Sequence, residues 1–180
     1  MLFRSGSNLL IVSNDLEAKS NLLRVIAKNL SNMECLKQIY YFNTDKQIQD
    51  VGLSPTHSSS DMFDENLSEN SFVVIDSLDA SAELQNKRAG LPKIMEFLRM
   101  AKEQNQFVIL CVNNYKKMLA NYDIKDLFEF FDYRLVYQSN NTNMESATNA
   151  TQMGERIAPL HKHNARFVKL SADEQIDFRP

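Results

Sequence analysis

Three runs of unbroken apolar residues constrain the fold of this chain more than anything else in it. Leu9-Leu10-Ile11-Val12, Phe72-Val73-Val74-Ile75 and the six residues from Phe107 to Val112 contain no polar side chain. Strands that show water on one face alternate apolar and polar residues. Unbroken runs suit strands covered on both faces, as in a parallel sheet. Each run stops at a polar residue: Ser13, Asp76 and Asn113. Helical patterns lie between them. Lys19 to Ser31 gathers Leu22, Leu23, Val25, Ile26 and Leu30 on one face, and Leu91 to Asn105 turns Ile94, Met95, Leu98 and Ala101 inward, with Pro92 in its first turn. Residues 38–43, 133–138 and 165–170 read as further strands, the last closing the series. Residues 123–131 and 146–153 read as short helices, and 45–70 as a long polar surface loop. The expectation is one α/β domain over residues 1–180, its sheet mainly parallel and covered by helices on both faces. Ligands bind such sheets outside the carboxyl ends of the strands. Ser13, Asp76 and Asn113-Asn114 all fall at such ends, and converge if their strands are neighbours.

The first of these ends carries the most informative motif. Ser13-Asn14-Asp15-Leu16-Glu17-Ala18-Lys19-Ser20 stands between an apolar strand and a helix. A phosphate-binding loop reads G-x-x-x-x-G-K-[ST] in the same setting. Lys19 and Ser20 occupy the right places, but Ser13 and Ala18 replace both glycines. The chain has only four glycines, at 6, 52, 90 and 154, and none is in this loop. The glycines matter because they permit a sharp turn and let backbone N–H groups approach phosphate. Asp15 and Glu17 add repulsion. At about 5 Å and an effective dielectric constant of about 20, one like-charge pair costs roughly 3 kcal/mol. Asp15 has a structural role open to it as the cap of the following helix.

In working nucleotide sites of this type the Lys neutralises phosphate, and the Ser joins a strand-end Asp in holding Mg²⁺. Lys19, Ser20 and Asp76 match in type and order. The carboxylate that would follow Asp76 and polarise water is replaced by Ser77, whose hydroxyl does not ionise near neutral pH. Asn114 stands where a polar sensor residue would follow the fourth strand, although Asn is also common in turns. Lys19, Ser20 and Asp76 are therefore read as a vestigial nucleotide and Mg²⁺ site.

Other features carry less. The formal net charge of -3 gives no global basic field for nucleic acid. Cys35 and Cys111 make no metal-ligand spacing and read as buried thiols of a reduced, intracellular protein. No apolar run reaches the roughly 18 residues of a membrane span. His161-Lys162-His163 has no third ligand indicated, and His57 stands alone; both read as solvated loop. Phe128, Phe130, Phe131 and Tyr133 read as core packing. Lys87, Arg88 and Lys93 read as a solvated face, and residues 140–143, three of them Asn, as polar loop.

Residues 9–30 resemble the P-loop strand and helix of FtsK/SpoIIIE-type motor ATPases. Phe72 to Asp79 resembles the strand that ends in their metal-binding Asp, usually followed by Glu. Residues 91–114 are similar to the helix and sensor strand that follow, where the family often has Thr-Gln, and Phe131 to Ser139 to the next strand with its Arg. The resemblance runs from about Leu9 to Leu170 through order and spacing, since no motif is intact. It implies a RecA-like P-loop NTPase fold. The missing loop glycines, Ser77 for Glu, and Asn113-Asn114 for Thr-Gln resemble the degenerate C-terminal modules of type VII secretion motor proteins.

What that resemblance implies is a non-catalytic module, a pseudo-ATPase needing no cofactor. It would act in protein substrate recognition or in regulation of adjacent ATPase modules of the same chain. The expected location is cytoplasmic, membrane-associated only through a parent chain, with any homo-oligomer formed through that parent. The chain begins abruptly, and Met1 to Ser5 read as foreign to a module of this kind. The alternative is a motor domain that binds ATP and Mg²⁺ and translocates protein or DNA. A third reading is an unrelated α/β fold with a coincidental Lys-Ser, favoured by a strand order that separates Ser13 from Asp76.

Overall fold

The structure, a computed structural model, describes residues 8–13, 15–32, 38–44, 63, 67–81, 90–113, 127, 129–137, 164–172 and 174–179. Seven strands form one sheet: β1 (Leu9–Val12), β2 (Ile39–Asn43), β3 (Phe72–Asp76), β4 (Phe107–Val112), β5 (Tyr133–Tyr137), β6 (Ala165–Lys169) and β7 (Glu174–Phe178). Their order is β2-β3-β4-β1-β5-β6-β7. The first five pair in parallel, and β5-β6 and β6-β7 pair antiparallel. Helix α1 (Leu16–Ser31) follows β1, and α2 (Gly90–Glu103) precedes β4.

The apolar runs are explained by cores on both faces of the sheet. Leu10, Val12, Val73, Ile75, Val108, Leu110 and Val112 pack on one face with Ile94, Phe97, Leu98 and Ala101 of α2. Their alternates Leu9, Ile11, Phe72, Val74, Phe107, Ile109 and Cys111 pack on the other with Leu23 and Leu30 of α1. A strand between two cores has no solvent face, so every residue is apolar.

Several boundaries differ from the sequence expectation. Helix α1 starts at Leu16, three residues before Lys19. The Asp15 side chain accepts from Ala18 N at 3.0 Å and so caps the helix early. Val25, expected inward, is 58% exposed, while Ala27 takes a core place. In α2, Phe97 is buried in addition to the expected residues, and Met95 only packs at the margin. The series of strands does not end near Leu170. A short 3₁₀ turn, Leu170–Ala172, leads into β7. That strand is exposed at its first four residues and so has no apolar run to announce it. The bidentate pair of Arg166 with Asp177, at 2.6 and 2.7 Å, ties it to β6.

The strands of Ser13 and Asp76 are not neighbours, because β4 lies between β1 and β3. This separation does not keep their residues apart, since Lys19 reaches over the end of β4. The expected helices at 123–131 and 146–153 and the loop at 45–70 lie wholly or largely outside the described residues. So do Cys35, all three histidines, Lys87, Arg88, Asn114, Phe128 and residues 140–143. No described helix is long and apolar enough to cross a membrane.

Candidate functional site

The carboxyl ends of β1, β3 and β4 meet around one ammonium group. Lys19 is only 3% exposed. Its Nζ donates to Asp76 Oδ1 at 2.6 Å, to Asn113 Oδ1 at 2.7 Å and to Ser77 Oγ at 3.2 Å. A lysine ammonium has three donors, and here each has an acceptor.

The acceptors are themselves fixed. Asp76 Oδ1 also accepts from Ser77 Oγ at 3.1 Å, and Asp76 Oδ2 accepts from the Tyr41 hydroxyl at 3.1 Å. Asn113 Nδ2 donates to Ser77 Oγ at 2.9 Å, which leaves the Asn113 amide oxygen for Lys19. Ser77 thus donates once and accepts twice. It holds a left-handed backbone, φ 62°, uncommon for a residue with a Cβ. Thr44 at the end of β2 secures this turn. Its backbone N–H and hydroxyl donate to Asp76 O at 3.2 and 3.1 Å, and its hydroxyl also bonds Ser77 O. Asn113 N donates to Asp79 Oδ1 at 2.8 Å on the 3₁₀ turn Leu78–Ala80. Burial, and then the Asp76 carboxylate, push the Tyr41 phenol far above its ordinary value. Burial followed by the same carboxylate raises the Cys111 thiol.

The segment that sequence aligns with a phosphate loop is mostly helix. Only residues 13–15 separate β1 from α1. Ser13 Oγ donates to Asp15 O at 2.8 Å and accepts from Asp15 N at 3.1 Å, which closes this short connection on itself. Asp15 occupies the start of the helix. Glu17 is exposed in the first turn, where its charge favours the helix dipole. Ser20 is buried, and its hydroxyl donates back to Leu16 O at 2.8 Å. Tyr137 of β5 donates its hydroxyl to Ala18 O at 3.2 Å and so braces the same turn.

Of the three residues named from sequence, Lys19 and Asp76 are brought into contact, while Ser20 turns back onto its own helix. Asn113 at the end of β4 completes the contacts of Lys19, while Asn114, expected as the sensor residue, lies outside the described residues. Tyr41 and Thr44 escaped sequence reasoning, because nothing in a Tyr-Tyr-Phe-Asn-Thr strand end marks which hydroxyl faces a carboxylate one strand away. The register that sets Asn43 beside Asp76 is what places them there, and no local pattern announces it. Arg134 is buried on β5 opposite Leu10 of β1, with Nε donating to Phe131 O at 3.4 Å. Among the described residues no group of three or more His, Cys, Asp and Glu is placed to hold a metal.

Solved structures settle the fold. Thermomonospora curvata EccC, ATPases 2 and 3 with a signal sequence peptide, is similar at 18% identity and a TM-score of 0.67, over 98% of this chain and 37% of that one. The fold is that of a RecA-like P-loop ATPase domain. The cytoplasmic domain of EssC matches at 12% identity and a TM-score of 0.62, over 96% of this chain and 37% of its own. B204, the DNA-packaging ATPase of Sulfolobus Turreted Icosahedral Virus, matches at 14% identity and a TM-score of 0.65, over 99% of both chains. The chain therefore spans well under half the length of the EccC and EssC chains. No protein-family model matches it, and no curated protein matches it in sequence.

Proposed function

We propose that this chain is a non-catalytic module of a secretion motor, a pseudo-ATPase acting in protein substrate recognition or in regulation of adjacent ATPase modules. The closed Lys19 network carries this reading. All three ammonium donors are used internally, and both Asp76 oxygens already accept hydrogen bonds. Phosphate would have to draw Lys19 out of a buried ion pair and leave Asp76 behind, and breaking such a pair costs about 3–5 kcal/mol. Backbone donors are no easier to reach, because Asp15 sits on the helix start and its carboxylate holds Ala18 N. These residues do not fit Mg-ATP, and Ser77 supplies no base for water.

The fold relatives support the partner class of this reading. EccC was solved with a signal sequence peptide, in a chain that carries more than one ATPase. A cytoplasmic setting, with any membrane link made through a parent chain, belongs to the same reading.

A second reading keeps ATP binding and translocation of protein or DNA. Its support is the match to B204 along almost the whole of both chains. It requires the first turn of α1 to unwind and Lys19 to change partners. Titrating a labelled signal sequence peptide into the protein separates the two. Saturable binding that is the same with and without Mg-ATP supports the first reading. No peptide binding, together with Mg-ATP-dependent and steeply salt-sensitive DNA binding, supports the second.

A further inference from the structure

At the opposite end of the sheet from Lys19, a cavity of about 210 Å³ is lined by Asn8, Lys102, Glu129 and Phe130. Asn8 immediately precedes β1 and is only 2% exposed. Its amide orientation is fixed by chemistry. Val108 N donates to Asn8 Oδ1 at 3.0 Å, so the oxygen is committed to β4 and the other atom is the NH₂ group. Among the described residues that NH₂ has no hydrogen-bond partner. A buried amide donor left unpaired is costly, and no described residue supplies its partner.

The rim is charged in both senses. Lys102 lies in the last turn of α2, Glu129 lies just before β5, and both are exposed without an ion pair among the described residues. Phe130 is half-buried and packs against the core with its ring. The cavity is smaller than the usual pocket for a drug-sized ligand, about 300–1,000 Å³. An occupant must therefore be small. A simple anion would meet Glu129, and a simple cation would meet Lys102. A molecule carrying both charges satisfies both.

We propose that this cavity binds a free zwitterion of amino-acid size. Its carboxylate accepts from the Asn8 NH₂ and Lys102, its ammonium pairs with Glu129, and its apolar part lies against Phe130. The site lies at the far end of the strands from Lys19 and is independent of the nucleotide question.

The test is a ¹H–¹⁵N NMR titration of the whole chain with phenylalanine and leucine, alongside acetate and methylammonium as single-charge probes. The expected result is saturable shifts of the Asn8 side-chain amide by the amino acids, with each single-charge probe binding at least about tenfold more weakly. Lys102→Met and Glu129→Gln, both on the rim, should each weaken amino-acid binding by about tenfold while leaving the spectrum of the core unchanged. Shifts that fail to saturate, equal responses to acetate and to the amino acids, or rim variants that bind as well as the parent would each overturn the proposal. In those cases the Asn8 NH₂ is satisfied by water alone.

Discussion

Lys19 Nζ lies 2.6 Å from Asp76 Oδ1 although the strands leading to them are separated by β4. Strands two places apart in a sheet are about 10 Å apart. The long lysine side chain spans that gap across Asn113 at the end of β4. The residue that sequence marks for phosphate therefore ties three strand ends together.

Lys19→Met should be strongly destabilising, since it leaves the buried Asp76 carboxylate without its cation. The expected loss is about 3–5 kcal/mol in urea unfolding. Adding Asp76→Asn should recover a large part of it, because the uncompensated charge is then gone. A loss within about 0.5 kcal/mol, the range of ordinary surface changes, would mean that Lys19 has no structural role.

Asp15→Ala removes the side chain that accepts from Ala18 N at the helix start. Urea denaturation should show a loss of about 1 kcal/mol. Glu17→Gln, exposed in the same turn, should cost no more than about 0.3–1 kcal/mol, and less at high salt.

Alkaline pH should weaken the fold through two buried phenols. Burial is the main cause that holds Tyr41 and Tyr137 above their ordinary value, reinforced by Asp76 at Tyr41 and by Cys111 and Asp15 at Tyr137. Below about pH 10 both the folded and unfolded chains keep these protons, and stability does not change on their account. Above it the unfolded chain releases them and the folded chain does not. Stability then falls by up to about 1.4 kcal/mol per pH unit for each tyrosine. Urea midpoints measured across this range should decline, and Tyr41→Phe should make the decline shallower.

The strands of the parallel sheet were legible because a two-sided core demands unbroken apolar runs. Strand β7 was not, because an edge strand needs no such run. The start of α1 was masked by the motif: Lys19 and Ser20 suggested a loop, while Asp15 as a cap overrode it. Val25 looked apolar and inward by spacing, yet the face that packs is set by Leu23, Ala27 and Leu30. Val25→Glu should accordingly change stability by no more than about 0.5 kcal/mol, whereas Leu23→Ala should cost about 2–5 kcal/mol. Within the site, the pairing of Lys19 with Asp76 follows from residue types. Asn113 was placed at a strand end by the apolar run before it, whereas Tyr41 and Thr44 depend on strand register, which no local pattern encodes.

Isothermal titration calorimetry of Mg-ATP into the intact chain tests the central claim most directly. The internally satisfied Lys19, Asp76 and Asp15 predict no binding heat at concentrations where motor ATPases saturate. Micromolar binding that disappears in a folded Lys19→Met variant would contradict the account.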